Sequence, residues 1–565
     1  MLALLLPLLL VQDDPFARAE QELRALVAAN PATLTLEEWG RSREDRPVLL
    51  LRVARAGDVD PALRPSVLLV AGLDGRRVDD WSVVRRHVER LAAADGELAR
   101  SLTSRTVWIC PLANPDGIAR GSASNGAPED EDRDGLEGED GPEDLDGDGK
   151  ALWMRWRSPE GRWLVDRDGF LREADPRATS GARERAREGA DQDGDGEYNE
   201  DPPGGVLPDR NFAQLWPEHE PGAGRYVLSE PSALALARVV EAHPALGCVV
   251  VYGGQDNLLG KPRRNDRQGR RSPTGVLEED AWILEAMGEL YRETTGRKGK
   301  DHDPWPGRFH AWVYAHMGLP CLATRLMAWS DEDAPKEGGD AKEGGDAKEG
   351  GEAPAAQAPK EPARSEAAEE RARQVAWLRR WFPDALRPWT ARTLPDGKQV
   401  EVGGVDDDAL QRLPAARLAD LEEKHFAFLT ALLGRLPAPT LAEVETRRLG
   451  EGVFEVEALV TNEGFLPPRT ELGGRLDRPR PPRLELVVAD GDRRLPLLPA
   501  RTAPETGPAL LTGPRVELVR GLAGRGSHAR TRWTVRTASP GDLHLLLRQE
   551  GRTLADRALE TKEGR

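Results

Sequence analysis

Three stretches place aspartates at alternate positions and close them with a glycine: Asp130, Asp132, Asp134 and Gly135; Asp144, Asp146, Asp148 and Gly149; Asp191, Asp193, Asp195 and Gly196. Alternate carboxylates gather several oxygen donors around one point, and glycine permits the sharp turn between them, which is the chemistry of calcium coordination. In helix-loop-helix calcium proteins the twelfth loop position is a bidentate glutamate. Here it is Gly141, Arg155 or Pro202, so the closure must differ. The first and third copies carry an acid pair in the same register, Glu139 with Asp140 and Glu200 with Asp201, and these would have to reach in. Calcium is the expected cofactor of this segment, and the competing reading is a solvated acidic loop.

A second set of residues is recognisable by order. Asn114-Pro115-Asp116-Gly117 follows the apolar run Val107-Trp108-Ile109-Cys110, then come Asp209-Arg210-Asn211-Phe212 and Leu228-Ser229-Glu230-Pro231. In this order the segments resemble the zinc carboxypeptidase family, the carboxypeptidase A/B-like metallopeptidases. The resemblance runs from about Ala17, through Gly40 to Arg46 and the segment around Leu322, to roughly Leu436, and similar acidic insertions occur in bacterial members. It implies zinc-dependent removal of C-terminal residues from peptides. Family strands end in Gly-x-His-Gly-x-Glu, with His and Glu as zinc ligands; here Gly72-Leu73-Asp74-Gly75-Arg76-Arg77 puts Asp74 and Arg77 at those positions. Counting back from Pro262 puts Gly253 at the second histidine, and Ala323-Thr324-Arg325-Leu326 puts Arg325 at the catalytic glutamate.

A catalytic zinc needs three protein ligands from His, Asp, Glu or Cys, and of these four residues only Asp74 qualifies. Arginine stays protonated and cannot serve as a base. The expectation is therefore that no catalytic residue survives, that zinc is absent, and that the old cleft binds peptide C-termini or other anions through Arg76, Arg77, Arg210 and Arg325, since guanidinium groups suit carboxylates. Alternatively, Asp74 and Asp209 neutralise these arginines in a structural ion-pair network. Three functional classes follow: a non-catalytic binding protein, an active metallocarboxypeptidase with rearranged ligands, and a calcium-stabilised scaffold. Of the nine histidines, only His302, His310 and His316 lie near the family segment leading to Arg325, at a looser spacing than ligands require.

A formal charge of −18 argues against a nucleic-acid partner. Met1 to Val11 is an apolar run of signal-peptide length, too short to span a bilayer, so the expected location is secreted, periplasmic or in the cell envelope. No other segment approaches transmembrane length. Cys110, Cys248 and Cys321 sit in or beside apolar runs and read as buried small hydrophobes rather than a disulfide framework.

The elements that must position these residues alternate. Strands are expected at 48–53, 67–70, 107–110, 248–252 and 321–326, with helices at 80–93, 232–242 and 279–295. Continuous apolar strands between helices point to an α/β fold with a mostly parallel mixed sheet covered on both faces. The domain reading is a leader at 1–12, a carboxypeptidase-like domain at 14–436 with an acidic insertion at 128–204 and a disordered repeat at 332–364, and a C-terminal domain at 438–565. In the insertion, the tryptophans between Trp153 and Trp163 read as a small hairpin. The last domain reads as an antiparallel β-sandwich of immunoglobulin-like type with no indicated partner.

Overall fold

The computed structural model describes residues 14–127, 142–165, 171–173, 183–191, 198, 205–265, 272–331, 366–503, 508–514, 516–519, 522, 524, 526–550 and 552–560. The run Met1 to Val11, the 332–364 repeat, and Asp130, Asp132, Asp134, Glu139, Asp140, Asp193, Asp195, Glu200 and Asp201 lie outside these residues. Two compact units emerge: Met1–Ala127, Gly204–Leu326 and Ala415–Arg565 form one, and Pro128–Pro203 with Met327–Pro414 the other. Among the described residues no helix is long and apolar enough to cross a membrane.

The first unit is built on a six-stranded mixed sheet ordered Leu34–Arg41, Pro47–Val53, Thr106–Cys110, Ser66–Val70, Leu246–Tyr252 and Cys321–Thr324. The last four strands are mutually parallel, and the first two join antiparallel at one edge. Ser66–Val70, Thr106–Cys110 and Leu246–Tyr252 are buried at every position, as continuous apolar runs require of strands covered on both faces. The helices Pro231–Ala242 and Phe309–Met317 supply one face of that cover through Leu236, Val240, Phe309 and Val313. Two elements escape apolar patterning: the edge strand Leu34–Arg41, which is only half-buried and carries Glu37 and Glu38, and the helix Gly96–Ser104, which buries Leu102 alone. The strand expected to reach 326 ends at Thr324, because Leu326 has φ 60° and cannot continue it.

The Asn-Pro-Asp-Gly segment is a helix start. Asn114 Oδ1 accepts from the Gly117 N–H at 3.1 Å, and Pro115 opens the short helix Pro115–Arg120. A side chain at Gly117 would fall 2.2 Å from Asn114 Nδ2, so glycine is required there. Asp116 is fully buried and accepts from Ser42 Oγ at 2.6 Å and Arg46 Nη1 at 3.0 Å, which pins the Gly40 to Arg46 loop.

Beyond the helix Leu418–Leu433, two antiparallel sheets form the C-terminal region. One is ordered Pro439–Gly450, Val453–Asn462, His528–Arg536 and Ala509–Thr512; the other contains Arg493–Pro496, Arg483–Asp490, Leu543–Gln549 and Arg552–Ala558, with Val516–Leu518 beside Arg483–Asp490. Val456, Val460 and Trp533 from the first share a core with Leu484, Leu545 and Leu547 from the second.

The second unit holds an antiparallel sheet ordered Leu386–Thr393, Gln399–Val405, Trp153–Arg157, Arg183–Arg187, Trp163–Val165 and Leu171–Glu173. The tryptophan hairpin is corrected by it: Trp153–Arg157 and Trp163–Val165 do not pair with each other but lie on either side of Arg183–Arg187. The reason is local. The Arg185 guanidinium lies over the rings of both Trp153 and Trp163, 4.2 and 3.4 Å from their centroids, so the indoles converge on a strand that apolar patterning does not reveal.

Candidate functional site

The parallel strands end at Val70, Tyr252 and Thr324, and the loops after them carry Asp74, Gly253 and Arg325 at the carboxyl edge of the sheet, where ligands of such folds collect. Gly253 is tied to its neighbour by its N–H, which donates to the Thr324 carbonyl at 3.0 Å.

Arg77 is 3% exposed. Its Nε and Nη2 donate to the two carboxylate oxygens of Asp80 at 2.9 and 3.0 Å, and Nη2 also reaches the Arg325 carbonyl at 2.5 Å. The Arg77 side chain thus meets the Arg325 backbone. Asp80 opens the helix Asp80–Ala92, and burial pushes its carboxyl up to about 6 against the pull of Arg77. The Arg325 side chain turns to Asp256: Nε donates to Oδ2 at 2.6 Å and the backbone N–H to Oδ1 at 3.0 Å. Arg297 holds the same carboxylate through Nη1 at 2.8 Å and Nη2 at 3.3 Å. Burial opposes ionisation of Asp256, but the charges and hydrogen bonds of Arg297 and Arg325 outweigh it and hold the carboxyl below its usual range.

Asp74 is occupied by its neighbour. It accepts from Arg76 Nε at 2.9 Å, Nη2 at 2.8 Å and the backbone N–H at 3.1 Å, and these contacts overcome burial to lower its pKa. The Arg210 side chain is bonded to Glu220 and to the Pro221 carbonyl at 2.8 Å. Its neighbour Asp209 joins the loop after Gly253 instead, accepting from Gln255 Nε2 at 2.5 Å and from the Phe309 N–H at 3.0 Å. The acids that matter most here, Asp80 and Asp256, went unnoticed in the sequence. The i,i+3 spacing of Arg77 and Asp80 at a helix start was the available signal.

Of the histidines, His310 Nε2 lies 2.7 Å from Asp303, while His302 and His316 are exposed. His87 and His425 flank Tyr252: His87 Nε2 lies 3.1 Å from the tyrosine hydroxyl and His425 Nε2 lies 3.0 Å from the Leu326 carbonyl. Both are fully buried, and burial lowers each to about 3, so both are neutral.

Among the described residues, one group of His, Cys, Asp or Glu gathers closely enough to surround an ion: Asp144, Asp146 and Asp148, with ligand atoms within 4.8 Å of one another. The Gly147 and Gly149 N–H groups donate to Asp144 at 2.7 and 2.8 Å, and the buried Glu188 holds the loop by accepting from the Leu145 and Leu152 N–H groups at 2.8 and 3.0 Å. Asp191 is partly exposed and belongs to no such group among the described residues. Neither Asp74 nor any other residue at the carboxyl edge does either.

The sequence profile of the zinc carboxypeptidase family matches residues 19–332, more than half of the chain. The chain belongs to the zinc carboxypeptidase family. Zinc carboxypeptidase A 1 of Drosophila melanogaster is 26% identical over 115 residues, covering 20% of this chain and 26% of that protein. Carboxypeptidase A2 of Mus musculus is 29% identical over 108 residues, 19% of this chain and 25% of that protein. The chain therefore spans about a quarter of the length of these curated relatives. Carboxypeptidase A from Helicoverpa armigera superposes with a TM-score of 0.33 at 17% identity, covering 54% of this chain and 63% of that one, and the metallo-carboxypeptidase from Burkholderia cenocepacia with 0.29 at 16%, covering 54% and 58%. A second profile, of a domain of unknown function, matches residues 439–551 of this family member. The zinc of this family would require donors at the carboxyl edge. Of the four residues that the resemblance sets at family positions, only Asp74 is of a ligand type, and both of its oxygens already hold Arg76.

Proposed function

We propose that this zinc carboxypeptidase family member does not hydrolyse peptides, and that an exported protein uses the former cleft to bind a peptide carboxylate or another anion. The observation that carries the reading is the pair of buried ion pairs, Arg77 with Asp80 and Arg325 with Asp256 and Arg297, at the positions where the family places a ligand and its base. Asp80 neutralises Arg77, and Asp256 is shared by Arg297 and Arg325, so both carboxylates are engaged by arginine and not offered to a metal. The anion reading narrows to Arg325. Arg76, Arg77 and Arg210 are spent on Asp74, Asp80 and Glu220, whereas Arg325 uses Nε on Asp256 and has no described partner for Nη1 and Nη2. Purified protein is expected to carry no stoichiometric zinc by elemental mass spectrometry and to release no amino acids from peptides. Zinc at one equivalent with release of C-terminal residues would establish the competing reading, an active enzyme with rearranged ligands. Calorimetric titration is expected to separate free-acid from amidated peptides, with equal binding of the two refuting the carboxylate site.

A second reading concerns calcium. The convergence of Asp144, Asp146 and Asp148 favours a calcium-stabilised loop in the insertion, with Glu188 fixing the backbone that presents the aspartates.

A further inference from the structure

At the amino edge of the parallel strands, opposite the loops of Asp74, Gly253 and Arg325, a cavity of about 470 Å³ opens between Pro31, Thr33, Arg52, Arg55, Asp60 and Arg64. Arg64 precedes the strand Ser66–Val70 and Asp74 follows it, so the length of that strand, about 16 Å, separates the two edges. The family cleft therefore gives no account of this cavity. Its size is that of a small-molecule site.

Its chemistry is unusual for a chain of net charge −18. Arg64 is 1% exposed, yet its guanidinium meets only backbone carbonyls: Nε donates to Val59 at 2.7 Å and Nη1 to Arg55 at 2.7 Å and Leu102 at 3.1 Å. Arg55 donates Nη2 to the Ala94 carbonyl, and its Nε is buried with no acceptor. Arg52 has a single described side-chain contact, from Nη2 to Thr35 Oγ1 at 3.1 Å. None of the three forms an ion pair among the described residues. The lone acid in the wall, Asp60, spends Oδ1 on the Ala62 N–H at 2.9 Å. Opposite Arg64 the wall is Gly57, where a Cβ would stand 3.2 Å from Nη2.

Buried guanidinium groups are ordinarily paired, because desolvating an unpaired charge is costly. Arg64 is buried and Arg52 and Arg55 are half-buried, and the three outnumber the single acid of the wall, which leaves a positive excess that a bound oxyanion would neutralise; the planar fork of each guanidinium suits a two-oxygen acceptor. We infer that this cavity is a binding site for a small molecule carrying an oxyanion group, phosphate or carboxylate, independent of the family cleft. Arg52 and Arg55 contact the anion, and Arg64 supplies fixed charge from the wall.

The test is calorimetric titration of the full chain at low ionic strength with inorganic phosphate and with succinate. Saturable binding of either is expected, and which one binds identifies the source of the oxyanion. Arg52→Gln and Arg55→Gln should each weaken that binding about tenfold while leaving any response to peptides unchanged. Asp60→Asn keeps the acceptor for Ala62 and removes a competing charge, so it should tighten binding, which keeps the test valid should Arg55→Gln unfold the protein. The inference is overturned if wild type binds neither anion, if the Arg52→Gln/Arg55→Gln double variant binds as wild type does, or if Asp60→Asn leaves affinity unchanged.

Discussion

Asp256→Asn removes the negative charge shared by two guanidinium groups while preserving size. Asp256 is fully buried and Arg297 is 8% exposed, and four hydrogen bonds of 2.6 to 3.3 Å join the carboxylate to Arg297 and Arg325. Breaking a buried pair from one side costs about 3–5 kcal/mol because the partner charge stays buried. Arg297 cannot easily escape, since Tyr291 and Thr324 hydroxyls also hold its Nη1, at 3.1 and 2.9 Å. Asparagine keeps one acceptor, which puts the expected loss near the lower bound, about 3 kcal/mol. At roughly 2–4 °C per kcal/mol for a domain of this size, the melting temperature should fall by roughly 6–12 °C. Scanning calorimetry with matched urea titrations measures it, and adding Arg297→Met to Asp256→Asn should recover part of the loss by removing the stranded charge. A loss below about 1 kcal/mol, the range of exposed pairs, would refute the view that this pair is buried and structurally required.

Calcium should raise the melting temperature and chelation lower it, with Asp144→Ala abolishing the difference; an identical melting curve in millimolar calcium and in chelator would remove the calcium reading. On the proposed reading Arg325→Glu should create no peptidase activity, because Asp74, Arg77 and Gly253 would still stand at the ligand positions that the resemblance implies, and any release of amino acids above wild type contradicts this. His87 and His425, lowered to about 3 by burial, bind fewer protons folded than unfolded below the ordinary pKa near 6.5. Their contribution is therefore present above about pH 6.5 and lost as pH falls toward 3, at up to about 1.4 kcal/mol per pH unit each, while Asp80, raised to about 6, partly offsets it between about pH 4 and 6. Calorimetric unfolding near pH 5 should show net proton uptake that falls in His87→Gln; no change in that variant would count against a buried neutral His87.

The parallel strands were legible because burial on both faces leaves an unbroken apolar signature, as in Val67-Leu68-Leu69-Val70. The sheet of the second unit was not, because Gln399–Val405 and Trp153–Arg157 are distant in sequence and joined by backbone pairing and an Arg155–Glu401 contact that leave no periodic trace. At the carboxyl edge, the residue types at 74, 77, 253 and 325 were readable. Their partners were not. Asp80, which follows Asp79, and Asp256 stand in helix-start and loop contexts where solvation is the ordinary outcome, and only the packed structure reveals that both are buried against arginine.

The Arg77–Asp80 pair also makes residue 77 hard to change alone. A single change of Arg77 to glutamate would place a second carboxylate beside a buried Asp80, and a single change of Arg325 would leave Asp256 with one cation instead of two. Stranding a buried charge costs about 3–5 kcal/mol, a large fraction of the roughly 5–15 kcal/mol that keeps a domain folded. A change at Arg77 alone thus loses stability, a change at Arg325 weakens a shared pair, and Asp80 and Asp256 act as a ratchet that holds both arginines in place. Sequences that diverge from this one can exchange either arginine with least loss of stability when its compensating acid changes with it.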